Sequence, residues 1–163
     1  VLTSPDFFSE KAFRKLAGDR QAKIVTSIAM FYDLPDPNAF VADIRAILAP
    51  EGLWALELSY LPAMMDANSF DTICHEHLEY YCLAQIETLL ARHGLRVFDV
   101  SLNDVNGGSF QVWACKNSAH YTENTAALEA LRRRERTEGY VSAEALSVLP
   151  ARIAGGKTDE GRA

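Results

Sequence analysis

Ile24-Val25-Thr26-Ser27-Ile28-Ala29-Met30-Phe31 is the stretch on which the fold turns. Apart from Thr26 and Ser27 it is apolar and does not alternate, which predicts a strand buried on both faces, as in a parallel sheet. The loop Asp33-Leu34-Pro35-Asp36-Pro37 follows. From Asn38 onward, Phe40, Val41, Ile44, Ile47 and Leu48 fall at helical spacing, and Pro50-Glu51-Gly52 predicts the helix stop. Leu53 to Leu58 reads as a second buried strand with Glu57 near its carboxyl end. A strand, a helix and a second such strand require a parallel pair joined by a right-handed crossover.

The same logic runs on in both directions. Upstream, Ser4-Pro5-Asp6 predicts a capped helix that carries Phe7, Phe8 and Phe13 to about Leu16 and stops at Gly18. Downstream, after a loop, Ile86, Leu89 and Leu90 predict a helix over Leu83 to His93, with Gly94 as its stop. Arg96 to Leu102 and Ser109 to Lys116 read as strands. Between them Asn103-Asp104-Val105-Asn106-Gly107-Gly108 is rich in residues that accept positive φ, so these two strands form an antiparallel hairpin. Thr122 to Thr137 predicts a further helix ending at Gly139. The small, polar run 155–161 predicts disorder. The fold class is therefore α/β, with a terminal antiparallel hairpin and a C-terminal helix. Residues 1–120 form the sheet unit, 121–140 a helix leading away from it, and 141–163 a disordered tail.

Composition narrows the function. With 163 residues, 48% of them hydrophobic and 23% charged, the chain has the make-up of one soluble domain. A net charge of −6 argues against a nucleic-acid partner. Arg132-Arg133-Arg134-Glu135-Arg136 is basic but interleaved with Glu129, Glu135 and Glu138, so it reads as a solvated helix face rather than a phosphate patch. Three cysteines, Cys74, Cys82 and Cys115, with no C-x-x-C pair fit neither a disulfide framework nor a zinc knuckle and point to a reducing cytoplasm. No apolar run reaches the ~18 residues of a membrane span, and no leader pattern is present. The absence of a starting methionine at Val1 suggests a partial chain.

The chemistry concentrates in Phe70-Asp71-Thr72-Ile73-Cys74-His75-Glu76-His77-Leu78-Glu79-Tyr80-Tyr81. Two imidazoles beside carboxylates suit proton transfer near neutral pH. If the stretch is extended, His75 and His77 share a face with Glu76 opposite; if it is helical, all three fan out. His75-x-His77 with Asp71 or Cys74 could also hold a metal in a hydrolase, although no further ligand stands at a metal-typical spacing. A non-catalytic α/β module is the other alternative. Asp71 can cap a turn, Tyr80 and Tyr81 can be core aromatics, and His93 suits a helix C-terminus.

This motif, followed by Asn103-Asp104-Val105-Asn106-Gly107-Gly108-Ser109, resembles the S-adenosylmethionine-dependent sugar C-methyltransferases, which act on nucleotide-linked 4-keto-deoxysugars. Ile24 to Leu34 resembles the fourth strand of their class I, Rossmann-like methyltransferase domain, and the likeness covers about Ser4 to Lys116. It implies the second half of that domain, where the reversed seventh strand slots between the fifth and the sixth. It also implies S-adenosyl-L-methionine as cofactor and a nucleotide-linked sugar as partner. By the same resemblance His77 is the base that removes a proton next to a ketone, and Glu76 is its acidic neighbour. His75, Tyr80 and Asn106 fall on the substrate side, and Ser27, Met30 and Phe31 lie at the strand end that meets the cofactor. Cys74 stands where the family commonly has tyrosine. The family's zinc-binding cysteine-rich domain, its Gly-rich first turn and its last α/β domain have no counterpart here. The expectation is a fragment with no metal of its own and with a bare edge on its first strand, open to self-association.

Overall fold

The computed structural model describes residues 2–69 and 72–140 together with the single positions 142, 147, 150, 151 and 154. The predicted tail otherwise lies outside the described residues, as do Asp71 and the side chain of Asn106. The elements run α1 (Glu10–Ala17), β1 (Ala22–Ile28), α2 (Pro37–Ile47), β2 (Leu48–Ser59), α3 (Leu61–Ala67), α4 (Leu83–Arg92), β3 (Leu95–Asn103), β4 (Ser109–Lys116) and α5 (Thr125–Thr137).

The four strands form one sheet in the order β1-β2-β4-β3. β1 and β2 are parallel, and β4 lies antiparallel to both β2 and β3. The hairpin strand thus slots between β2 and β3, as the family resemblance implies. Alternate residues of the strands, Trp54, Leu56 and Leu58 of β2 with Phe110, Val112 and Ala114 of β4, face a single core. α2 contributes Val41 and Ile44 to it, α4 contributes Ile86, Leu89 and Leu90, and α5 contributes Leu128.

All of these helices lie on one side of the sheet, which corrects the reading of β1. Ile24 and Ile28, expected to be buried, are 65% and 55% exposed, because their face carries no helix among the described residues. Only Val25 and Ser27 turn toward the core. β1 also ends at Ile28 rather than Phe31. Ala29 takes φ 50, which turns the chain off the sheet into a 3-10 helix at Phe31–Asp33.

Other boundaries move for local reasons. α1 is capped by Ser9, whose hydroxyl accepts from Ala12 N–H at 3.1 Å, and not by Ser4, which bonds Asp6 N–H instead. Phe7 is therefore left 99% exposed outside the helix, while Phe8 packs on Phe40 at 5.0 Å. Pro50-Glu51-Gly52 does not stop a helix, because α2 ends at Ile47 and β2 begins at once. Gly52 instead allows β1 to approach at a register shift, since a Cβ there would sit 2.7 Å from the Ala22 carbonyl oxygen. α3 falls in a stretch that reads as loop. Pro62 suits its first turn, and Leu61, Met64 and Met65 bury its inner side.

The arginine run is a solvated face only at Arg133 and Arg136, which are exposed. Arg132 forks onto Glu87 of α4 and also meets Glu129, and Arg134 pairs with Asp66 and Glu138 and lies 5.7 Å over the Tyr60 ring. α5 therefore clamps α4 and α3 through its charges as well as through Leu128. Among the described residues no helix is long and apolar enough to cross a membrane.

Candidate functional site

The segment from Thr72 to Tyr81 has almost no regular structure, so its shape comes from three anchors. Thr72 is tied to the end of α3, its N–H and hydroxyl both donating to the Ser69 carbonyl at 3.3 and 2.7 Å. Leu78 and Glu79 donate their N–H groups to the Tyr32 carbonyl at 3.0 and 3.2 Å. Tyr81 bridges to Tyr60, and its carbonyl accepts from Leu61 N–H at 3.0 Å. The motif is thereby laid across the carboxyl ends of β1 and β2, the end at which sheets of this kind bind ligands.

His77 is the motif's half-buried imidazole. Its ring sits edge-on to Tyr32 with centroids 4.5 Å apart, and Tyr80 lies at 6.5 Å. Its Nδ1 is 2.8 Å from the Thr72 carbonyl oxygen. A carbonyl only accepts, so Nδ1 carries the proton and the neutral ring keeps its lone pair on Nε2. The Tyr80 hydroxyl donates to the same oxygen at 3.3 Å. Burial raises the Tyr32 and Tyr80 phenols above their ordinary value, so both stay protonated at neutral pH.

Glu76 turns toward His75, with Nε2 and Oε1 3.9 Å apart and the two side chains largely exposed. His75 and Glu76 occupy a turn, a geometry that is neither the extended nor the helical alternative. The partner on Nδ1 of His77 is therefore a backbone carbonyl. Sequence reasoning missed Thr72 in this role because a main-chain acceptor leaves no trace in residue type. Among the described residues no three His, Cys, Asp or Glu side chains converge as a metal site would need.

The other described carboxylate of the motif, Glu79, accepts from the Tyr81 hydroxyl. Both line a cleft of ≈ 500 Å³ between α2 and α4 that His77 does not reach. His77 lines a space of only ≈ 10 Å³ with Tyr32, Ser59 and Tyr80, which is about the room of one water. Ser59, at the end of β2, is a second neighbour the sequence reading passed over.

At the end of β1, Ser27 is buried and accepts from Trp54 Nε1–H at 3.0 Å. Phe31 is buried against Trp54 and Tyr81, ring centroids 5.7 and 5.4 Å away. Met30 is only partly buried and lines a cleft of ≈ 210 Å³ with Val25, Ile28 and Phe40. Tyr32, the next residue after Phe31, carries both the ring and the carbonyl that hold the His77 segment. Asn106 belongs to a 3-10 helix, Val105–Gly107, at the β3–β4 turn. His93 meets Asn38 at 3.3 Å, and His120, which has no evident partner in the sequence, meets Glu51 at 3.0 Å.

Comparison with known proteins agrees with this architecture. Residues 4–100 match the family model described as a methyltransferase domain. The C-methyltransferase NovU of Streptomyces niveus is 40% identical over 140 residues, 85% of this chain and 33% of NovU, so the chain spans about a third of that relative's length. Among solved structures, the complex of the Haloferax volcanii Trm112 methyltransferase activator with a putative methyltransferase aligns with a TM-score of 0.51 at 16% identity. That alignment covers 63% of this chain and 56% of that one. LepI in complex with SAM aligns with a TM-score of 0.50 at 15% identity, over 60% of this chain and 27% of that one. At those identities the structures speak for the fold alone. With most of its sheet matched by the family model and a curated relative aligned along nearly its whole length, the chain belongs to the methyltransferase-domain family and has the Rossmann-like α/β fold of its class I members.

Proposed function

We propose that this chain carries the base and part of the cofactor wall of an S-adenosyl-L-methionine-dependent C-methyltransferase. The substrate class is a nucleotide-linked deoxysugar, methylated at a carbon next to its ketone. The observation that carries this reading is the Nδ1–H of His77 on the Thr72 carbonyl, which leaves Nε2 as a basic atom at the carboxyl end of the sheet. The 40% identity to a C-methyltransferase supports the reaction class.

The residues present fit a part of the cofactor. β1 ends in a sharp turn at Ala29, and the partly buried Met30 beside it offers an apolar surface. Because Trp54 and the core engage the side chains of Ser27 and Phe31, these two would hold the cofactor through main-chain groups, with Met30 contributing its side chain. When bound, the cofactor supplies a methyl group made electrophilic by its sulfonium.

His77 Nε2 takes the proton from the carbon next to the ketone, and the electron pair left behind is delocalised as an enolate. The resulting imidazolium still donates Nδ1–H to Thr72, so the ring need not turn during the transfer. Glu76, exposed and next in sequence, favours the charged ring only weakly through solvent. His75, the face of the Tyr80 ring and Asn106 are assigned to the sugar side. We assign the edge of β1, unpaired among the described residues, to contact with a second chain.

The test uses the full-length enzyme and a substrate deuterated at the reacting carbon. His77→Ala slows exchange of that deuterium by roughly 10²–10⁴-fold, the size of a general-base contribution, while cofactor binding measured by calorimetry persists. Unchanged exchange would remove His77 from the role of base.

A further inference from the structure

Thr72 presents one carbonyl oxygen to two donors, His77 Nδ1–H at 2.8 Å and the Tyr80 hydroxyl at 3.3 Å. A carbonyl has two lone-pair directions, so the two bonds are compatible, and together they fix the plane of the Thr72 peptide. That peptide is held from behind as well, since the Thr72 hydroxyl donates to the Ser69 carbonyl at 2.7 Å. Ser69 in turn donates its N–H to the Met64 carbonyl of α3 at 3.0 Å. On the other side the His77 ring rests edge-on against Tyr32.

We infer that Tyr80 and Thr72 are positioning residues that lock His77 in its Nδ1–H tautomer, with Tyr80 acting through the shared carbonyl. Among the described residues no carboxylate takes part in the lock, because Glu76 is turned to His75 and Glu79 accepts from the Tyr81 hydroxyl. An unrestrained imidazole exchanges between its two neutral tautomers, and only the one protonated at Nδ1 has a base at Nε2. The lock therefore keeps the whole neutral population competent. The Tyr80 hydroxyl fixes the acceptor, and the ring of Tyr80 stays available to the substrate side. The inference rests on the reading of His77 as the base, but its test does not depend on turnover.

The 163-residue chain is labelled with ¹⁵N-histidine, and the tautomer of neutral His77 is read from the shifts of its two ring nitrogens. Subtraction of the His77→Gln spectrum separates His77 from the other three histidines. In the unmodified chain Nδ1 carries the proton. In Tyr80→Phe the Nε2–H form becomes the majority, and turnover of the full-length enzyme falls by roughly three- to tenfold, about one hydrogen bond's worth. An unchanged tautomer population in Tyr80→Phe overturns the proposal. Should that variant fail to fold, Thr72→Val, which keeps the carbonyl but loses the hydroxyl anchor, is read in the same way with the same two outcomes. Failure of the base assignment looks different: deuterium exchange persists in His77→Ala while the tautomer lock remains intact.

Discussion

Glu135 of α5 accepts the backbone N–H of Leu83, the first residue of α4, at 2.7 Å. Its carboxylate also accepts from Ala84 N–H at 3.0 Å and from the Tyr60 hydroxyl at 3.0 Å. A fully buried side chain from a distant helix thus satisfies donors at the amino end of α4, where a local cap would ordinarily act. Because α4 begins two residues after Tyr81, and Tyr60 bridges to Tyr81, the carboxylate also fastens the end of the candidate catalytic segment.

Glu135→Ala leaves those donors without their partner and destabilises the chain by about 3 kcal/mol, with Glu135→Gln costing about 1–2 kcal/mol. Denaturant unfolding of the two variants measures both values. A loss under half a kilocalorie for Glu135→Ala would show that water replaces the carboxylate freely.

The same group makes stability depend on pH. Burial raises the Glu135 carboxyl above its ordinary value of 4.5, against the opposing effect of its hydrogen bonds. The folded chain therefore holds this proton more tightly than the unfolded chain. The contribution is complete below the unfolded value and is lost as pH rises through the folded one. The stability advantage of the unmodified chain over Glu135→Gln is thus largest below pH 4.5 and shrinks as pH rises. A urea-midpoint series for the two proteins gives the slope, and a parallel pair of curves would contradict it.

Gly108 closes the β3–β4 turn at φ 121, and a Cβ there would lie 2.4 Å from the Ala63 Cβ of α3. Gly108→Ala therefore meets both an unfavourable backbone conformation and a clash, and costs about 2–4 kcal/mol. Gly18, also at positive φ but with open space around it, pays the backbone cost alone, about 1 kcal/mol for the same substitution. Thermal denaturation ranks the two, and equal shifts would show that α3 yields.

The edge and face of β1, unpaired and uncovered among the described residues, predict self-association of the isolated chain. Replacing Ile24, 65% exposed on that face, by lysine reduces it. Sedimentation velocity checks this: the unmodified chain gives species larger than a monomer, and Ile24→Lys moves the distribution toward the monomer. A single monomeric boundary for the unmodified chain would remove the edge as an interaction surface.

Much of the architecture is legible in local pattern. The Ile44 and Ile47 stripe, Gly94 at a helix end and the glycine-rich turn before Ser109 each report a short-range constraint, and the elements they predict are present. α3 was illegible because its apolar residues, Leu61, Met64 and Met65, span less than two turns and give too short a period to recognise. Ile24 and Ile28 mislead for the opposite reason. Their side chains state that the face is apolar, but whether a helix covers it is decided elsewhere in the chain.

The order strand, helix, strand, helix, hairpin and the gathering of two imidazoles with carboxylates in the His75 to His77 run were determined by the sequence alone, since periodicity and side-chain chemistry are properties of neighbouring residues. Tertiary structure decided which imidazole nitrogen of His77 is hydrogen-bonded, because that depends on the main-chain carbonyl of Thr72. It also turned Arg132, Arg134 and Glu135 from a charged helix face into clamps on α3, α4 and Tyr60. Hydrogen bonds between residues far apart in the chain, or to the backbone itself, form only once folding brings the groups together, so no stretch of residues announces them in advance.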